Sequence, residues 1–384
     1  MNLADYLKLC NDHLEKFFLT FRADSNHENY FSFLNCQRNL RHYLGITSEQ
    51  EVASFFRQLM GSISLASNDQ LSGAGVEVSK IINNSDSLPF LPSPAIYCTY
   101  HIGAFRLVPH LLATKNIDFV LVVDQKTYDN QLSLYEKAYE QSNVEGKISF
   151  SVLSAEDPAI GLKLIRAIKG GVSVLFYIDG NSGVGGMGRN DDKLTKIQFL
   201  GKSIWARKGI AFLSYATGAP IFPIVSIRDE SYAPYFILEQ PISIAKERSR
   251  EEILNSVTSQ LFSVLESYLS DVPAQWEGWL YLHLFETDRS MPVGTPMHSF
   301  SRDKSASVVF DVEKFDFFHK DGAWHLFDKE DAFVWPISDS LYKVLSVLRG
   351  SAMPFSLVSD VMPPKLFAEM FSLGVLKPLN VALV

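Results

Sequence analysis

The segment Tyr100-His101-Ile102-Gly103-Ala104-Phe105-Arg106 brings an imidazole, a glycine and a cation together where the apolar run Ala95–Tyr100 gives way to a helical rhythm. A histidine at the carboxyl end of a strand is placed to act as a general base, since its unperturbed pKa near 6.5 lets it take a proton around neutral pH. Gly103 lets backbone or substrate approach closely. The alternative for His101 is a structural ring that caps the helix start. Asp179-Gly180-Asn181 closes a second strongly apolar run, 172–178, and the Asp-Gly pair is either a turn or a binding carboxylate. The glycine-rich stretch 183–188 leads into polar residues rather than a helix, and no Lys-Ser or Lys-Thr follows it, so it is neither a dinucleotide fingerprint nor a phosphate loop. A mobile active-site loop is expected there. Residues 189–208 hold Arg189, Lys193, Lys196, Lys202, Arg207 and Lys208 against Asp191 and Asp192, a local positive excess in a chain of net charge −8. Such a face suits an acidic carrier protein or the phosphate of a pantetheine arm; the plainer reading is a solvated loop and helix.

The elements that must position these groups follow from periodicity. Met1–Thr20 reads as an amphipathic helix, and Glu49–Leu65 as another, with breaks near 25–27 and 66–72. Three prolines in 88–94 end this helical section. From Ala95 onward, strand-like runs (95–100, 119–123, 148–153, 173–178, 221–227) alternate with helical ones (104–113, 132–141, 159–169, 204–217, 250–269). That alternation predicts an α/β fold, a mixed sheet flanked by helices. Val120–Val123 and Val172–Ile178 are apolar throughout, as central strands covered on both faces require. The polar stretch 286–307 reads as a linker. Beyond it, runs at 308–312, 315–319 and 324–327, a helix at 338–349 and two shorter helices ending at Gly374 predict a small α+β domain. The expected organisation is therefore a helical section over 1–91 packed on the core, an α/β domain over 92–288, a linker over 289–306 and a C-terminal domain over 307–384.

The chain has 384 residues, 47% hydrophobic and 20% charged, which excludes a disordered or fibrous protein. Its net charge argues against a general nucleic-acid binder. Cys10, Cys36 and Cys98 lie far apart without a C-x-x-C, so a disulfide framework or zinc site is not expected, and all three read as buried small apolar residues. No run approaches the ~18 apolar residues of a membrane span, and the first helix lacks signal-peptide character, so a cytoplasmic protein is expected. No nucleophile elbow, H-E-x-x-H or kinase set occurs, and no metal or resident cofactor is expected.

In order and spacing, His101-Ile102-Gly103-Ala104-Phe105, Asp179-Gly180, Phe199-Leu200-Gly201 with Gly209, Thr217-Gly218-Ala219-Pro220 with Pro223, and Pro273-Ala274-Gln275-Trp276 with Trp279 resemble the lysophospholipid acyltransferase superfamily, and within it the lipid A lauroyl/myristoyl acyltransferase (HtrB-like) branch. The resemblance covers residues 95–286. It implies transfer of an acyl group from an acyl-carrier protein or coenzyme A thioester to a hydroxyl or amine, with His101 as base. The resemblance implies an acid after four intervening residues to orient the imidazole; that position is Arg106 here, and a cation cannot accept the imidazole N–H. Asp179 and Asp124 are the candidate substitutes, the alternatives being a histidine working without a partner or a site dead for this chemistry. Asp179 is taken as the catalytic partner, with Gly103, Arg106, Asp124, Gly180, Asn181, Arg189, Arg207 and Lys208 as substrate-binding candidates.

Residues 307–384 are faintly similar to PqqD-type winged-helix domains, which implies a site for a carrier or peptide. With the family's membrane anchor missing at the N-terminus, an acceptor in natural-product biosynthesis, small or carrier-bound, is expected rather than lipid A. Two other classes remain: a non-catalytic protein that holds an acylated carrier, and an enzyme switched to thioester hydrolysis or condensation.

Overall fold

A seven-stranded sheet carries the larger part of the chain. In the computed structural model, which describes residues 1–24, 29–84, 91–142, 149–180, 192–244, 249–287 and 307–379, its strands are β1 (Lys80–Asn83), β2 (Ile96–Thr99), β3 (Phe119–Val123), β4 (Phe150–Ser154), β5 (Ser173–Tyr177), β8 (Ile221–Arg228) and β9 (Pro234–Leu238). A separate hairpin is formed by β6 (Leu194–Phe199) and β7 (Lys202–Arg207). The sheet order is β1-β9-β8-β2-β5-β3-β4. The five strands from β8 to β4 are mutually parallel, and β9 runs antiparallel to β8. The fold is therefore a mixed α/β architecture.

Because side chains alternate along a strand, a run such as Ile96-Tyr97-Cys98 feeds two cores at once. Tyr97, Leu121 and Leu175 meet the helices Val108–Thr114 and Gln125–Ser142 on one face. Ile96, Val120 and Val174 meet Ile160–Lys169, Gly209–Thr217 and Arg250–Leu269 on the other. Continuous apolar strands are the result, as expected for a sheet covered on both sides. Cys10, Cys36 and Cys98 are buried free thiols.

The chain forms two compact units: 1–21 with 53–287, and 22–52 with 288–384. The section expected over 1–91 is thus divided. Its helix Asn29–Leu44 belongs with the C-terminal unit because Phe31 and Leu34 pack on Phe318, Phe327 and Ala332, Tyr30 donates to Asp316 at 3.0 Å, and Arg38 donates to the Glu330 carbonyl at 2.9 Å. That unit further holds β10 (Ser307–Phe310), β11 (Phe315–Lys320), β12 (Ala323–Asp328), β13 (Val334–Ile337), β14 (Met353–Pro354) and β15 (Leu376–Leu379), in two three-stranded antiparallel sheets, with helices at Asp339–Gly350, Phe355–Val361 and Pro364–Ser372. The expected linker lies outside the described residues.

Three local expectations are corrected. The helix from Glu49 continues to Ser72 without a break. The run from Ile204 is not one helix: Ile204–Arg207 finishes β7, whose alternating burial matches a strand, and the helix starts at Gly209. The described part of the basic stretch is accordingly a hairpin, Leu194–Phe199 with Lys202–Arg207, rather than a loop and helix. The strands Lys80–Asn83 and Pro234–Leu238 carry no expectation from the periodicity, being a short exposed edge and a proline-led segment.

Behind β8 the Arg228 guanidinium pairs with the Asp69 carboxylate, and it donates to the Tyr6 hydroxyl at 2.9 Å and the Tyr232 carbonyl at 3.0 Å. Tyr6 also donates to Asp69 at 2.9 Å. All three side chains are buried, so this network ties the helices Leu3–Thr20 and Glu49–Ser72 to the sheet. Removing one partner strands the other charge in the interior, which costs about 3–5 kcal/mol. Denaturant unfolding is expected to show Arg228→Met and Asp69→Leu each strongly destabilised and the double variant closer to the parent than either; additive losses would contradict the pairing.

Candidate active site

The parallel register of β2 and β5 sets Thr99 opposite Tyr177. Two residues further along each chain, His101 and Asp179 come together: His101 Nδ1 stands 2.8 Å from Asp179 Oδ1. The His101 backbone N–H donates to both carboxylate oxygens at 3.1 and 3.0 Å, and the indole N–H of Trp276 donates to Oδ2 at 2.7 Å. Asp179 is completely buried, and this set of donors compensates the loss of water around its oxygens. A carboxylate facing Nδ1 assigns the ring proton to that nitrogen and leaves Nε2 as the basic lone pair. The ring is 22% exposed, held between Phe105 and Tyr177 at centroid distances of 5.0 and 4.9 Å.

Burial alone disfavours the imidazolium. The charge of Asp179 and its hydrogen bond, aided by Glu277, outweigh burial, and the His101 pKa is raised above 6.5. His110, nine positions on, is the contrast: burial lowers it to about 4, with the Gln70 carbonyl at 3.4 Å from its ring.

The segment 273–279 braces this geometry. Ile102 and Trp276 form an antiparallel bridge. The Gly103 N–H donates to the Gln275 carbonyl at 3.0 Å, and the Glu277 N–H to the His101 carbonyl at 2.9 Å. Gln275 accepts from the Arg228 N–H and donates to the Arg228 carbonyl, each at 2.8 Å. Trp276 in turn packs on Phe199 and Trp279 at 5.5 and 5.2 Å. Gly103 has φ +59°, and a Cβ there would stand 2.5 Å from the Ser226 carbonyl oxygen and 2.7 Å from Ile227 Cα. Its glycine is required by this close approach to β8.

A cavity of about 1310 Å³ opens over the carboxyl ends of the strands. Its lining includes His101, Arg106, Asp124, Gly180, Arg207 and Lys208 from the sequence candidates; Gly103 is not part of that lining. Toward the helix Gln125–Ser142 the wall is polar, with Arg106, Asp124, Thr127, Gln131 and Tyr135. Toward the opposite face Leu164, Phe176, Ile178, Leu213, Leu254 and Phe262 supply an apolar wall, and Lys208, Arg250 and Glu251 line it from the starts of their helices. Asp124, the other candidate acid, caps its helix instead, accepting from the Thr127 N–H at 3.0 Å and hydroxyl at 2.6 Å. Lys208 pairs with Glu251 at 2.7 Å. A Cβ on Gly180 would stand 3.4 Å from His101 Cε1. Asn181, Arg189 and the glycine-rich stretch lie outside the described residues. Sequence reasoning missed the roles of Trp276, Gln275 and Gln70. The first two were visible only as motif letters, and Gln70 is one polar residue on a long helix with no signal of its own.

No family model and no curated protein matches the chain. Among solved structures it is similar to the 1-acyl-sn-glycerophosphate (LPA) acyltransferase PlsC from Thermotoga maritima, at 12% identity and a TM-score of 0.33, covering 69% of this chain and 98% of that one. A likeness of that size bears on neither the site nor the reaction. Among the described residues no helix is long and apolar enough to cross a membrane.

Two outcomes are expected. Histidine NMR titration places the His101 ring above 6.5 and, in Asp179→Asn, below its parent value, because burial persists after the attraction is gone. Since the folded value is the higher one, the pair's contribution to stability is complete below about 6.5 and is lost as pH rises through the raised pKa. An unchanged titration in Asp179→Asn would refute the coupling. Gly103→Ala is expected to lower stability by about 1–3 kcal/mol, from left-handed strain and the contact with β8, and calorimetry reads it directly.

Proposed function

We propose that this protein is an acyltransferase that moves an acyl group from a carrier-protein or coenzyme A thioester to a hydroxyl or amine. The observation that carries this reading is the His101–Asp179 contact beneath a cavity with one apolar and one polar side. His101 Nε2 takes the proton from the acceptor as its oxygen or nitrogen attacks the thioester carbonyl. The tetrahedral intermediate then expels the thiolate, and the imidazolium returns the proton to sulfur. Acceptor–H plus acyl thioester thus gives acylated acceptor plus free thiol. Asp179 holds the Nδ1 tautomer and steadies the imidazolium between the two transfers. The apolar side of the cavity receives the acyl chain, each buried methylene contributing about 0.8 kcal/mol and setting length preference.

Lys193, Arg207, Lys208 and Arg250 line the cavity, which supports an acidic carrier or the phosphate of its pantetheine as the partner at that side. The faint PqqD-type similarity supports a carrier- or peptide-holding role for the C-terminal unit. An acceptor from secondary metabolism, small or carrier-bound, fits the polar side of the cavity.

The test is intact-mass analysis of the protein with a series of acyl-carrier thioesters and amine or alcohol acceptors. The expected result is acyl loss from the carrier with a matching gain on the acceptor, reduced about 10²–10⁴-fold in His101→Ala with unchanged circular dichroism. Free acid as product would mean hydrolysis. Tight carrier binding without turnover would make the protein a holder of acyl carriers.

A further inference from the structure

We propose that the polar side of the cavity is the acceptor site and that it selects an acceptor bearing an anionic group, carboxylate or phosphate, through Arg106. The inference rests on the acyl-transfer reading for the word acceptor, but the anion site itself stands on the surroundings of Arg106. Its Nη1 donates to the Gln70 side-chain oxygen. Gln70 is buried, and its amide donates to Gln131 Oε1 at 3.2 Å while also sharing a hydrogen bond with Tyr135. Neutral groups therefore fix the guanidinium in place. None of them supplies charge.

Among the described residues Arg106 has no ion pair, and its buried Nε has no hydrogen-bond acceptor. A cation half withdrawn from water and met by an amide oxygen and a phenyl ring, with no anion paired to it, is incompletely compensated. Arginine on a cavity wall then offers its remaining donors to a planar or tetrahedral anion. Asp124 lines the same side, but among the described residues its carboxylate oxygens accept from Thr127 and form no ion pair with Arg106.

Position relative to the base makes the site an acceptor site. The guanidinium carbon lies 5.4 Å from the Phe105 ring centroid, and the His101 ring lies 5.0 Å from that same centroid. Arg106 is also close enough for its charge to act against the His101 imidazolium. An anion on Arg106 and a nucleophile at His101 Nε2 thus lie about one phenyl ring apart, within reach of one small acceptor that carries both groups, such as an amino or hydroxy acid or a phosphorylated amino alcohol.

Binding of product-like probes tests this without turnover. Calorimetry with N-octanoylglycine, its methyl ester and N-octanoyl-ethanolamine phosphate is expected to show at least one anion binding 10-fold or more tighter than the ester, with the order of the two anions identifying carboxylate or phosphate. In Arg106→Gln the preference is expected to vanish while ester affinity stays the same. Absence of the preference in the parent protein overturns the proposal even where the variant is unstable. Equal affinity for ester and both anions would overturn the proposal, as would a preference that survives in a folded Arg106→Gln. If acyl transfer fails but the preference is found, only the reaction reading falls; if transfer occurs with no anion preference, only this inference does.

Discussion

Everything at the candidate site depends on one register. β2 and β5 are neighbouring parallel strands, and because Thr99 faces Tyr177 the two chains leave the sheet level with each other. His101 and Asp179 meet as a direct consequence, in a crevice at the carboxyl ends of the strands where α/β sheets gather their ligands. A one-residue slip would send one of the two side chains to the other face. The apolar residues of both strands, buried on both sides of the sheet, hold the register against that slip.

The same carboxylate unites parts of the chain distant in sequence. Asp179 accepts from the strand that carries the base and from Trp276, almost a hundred residues later. Trp276 is fixed by its bridge to Ile102, and its neighbour Gln275 is locked to Arg228, whose guanidinium is buried against Asp69 and Tyr6. The N-terminal helices are therefore connected to the site through buried polar contacts, and rigidity of the His101 loop is a property of the whole first unit. Such preorganisation lets a base hold one tautomer without reorganising during proton transfer.

Much of this was legible in the sequence, for identifiable reasons. Strands such as Phe119–Val123 and the helix Arg250–Leu269 announce themselves because burial on two faces or one imposes a periodicity. His101 and Asp179 could be named as partners because each ends an apolar run, and Arg106 in the acid's place made the search for a substitute carboxylate necessary. What stayed hidden depends on contacts between remote segments. Nothing local distinguishes Gln70 from any helical glutamine. Nor does the helix Asn29–Leu44 reveal that its apolar stripe serves the C-terminal unit, since a helix pattern states that a face is buried without naming what buries it. The β6–β7 hairpin was obscured by its own lysines, which read as a solvated surface while the alternating Thr195, Ile197 and Phe199 face inward.

The central claim is that Asp179 tunes His101 into the base of an acyl transfer, and the pH dependence of single-turnover transfer tests it most directly. The account predicts a rate that rises with pH through a limb above 6.5, as the imidazolium gives up its proton; in Asp179→Asn the rate falls and the limb moves to lower pH. A rate that keeps the same limb in Asp179→Asn, or shows no ionisation above pH 6.5, would contradict it.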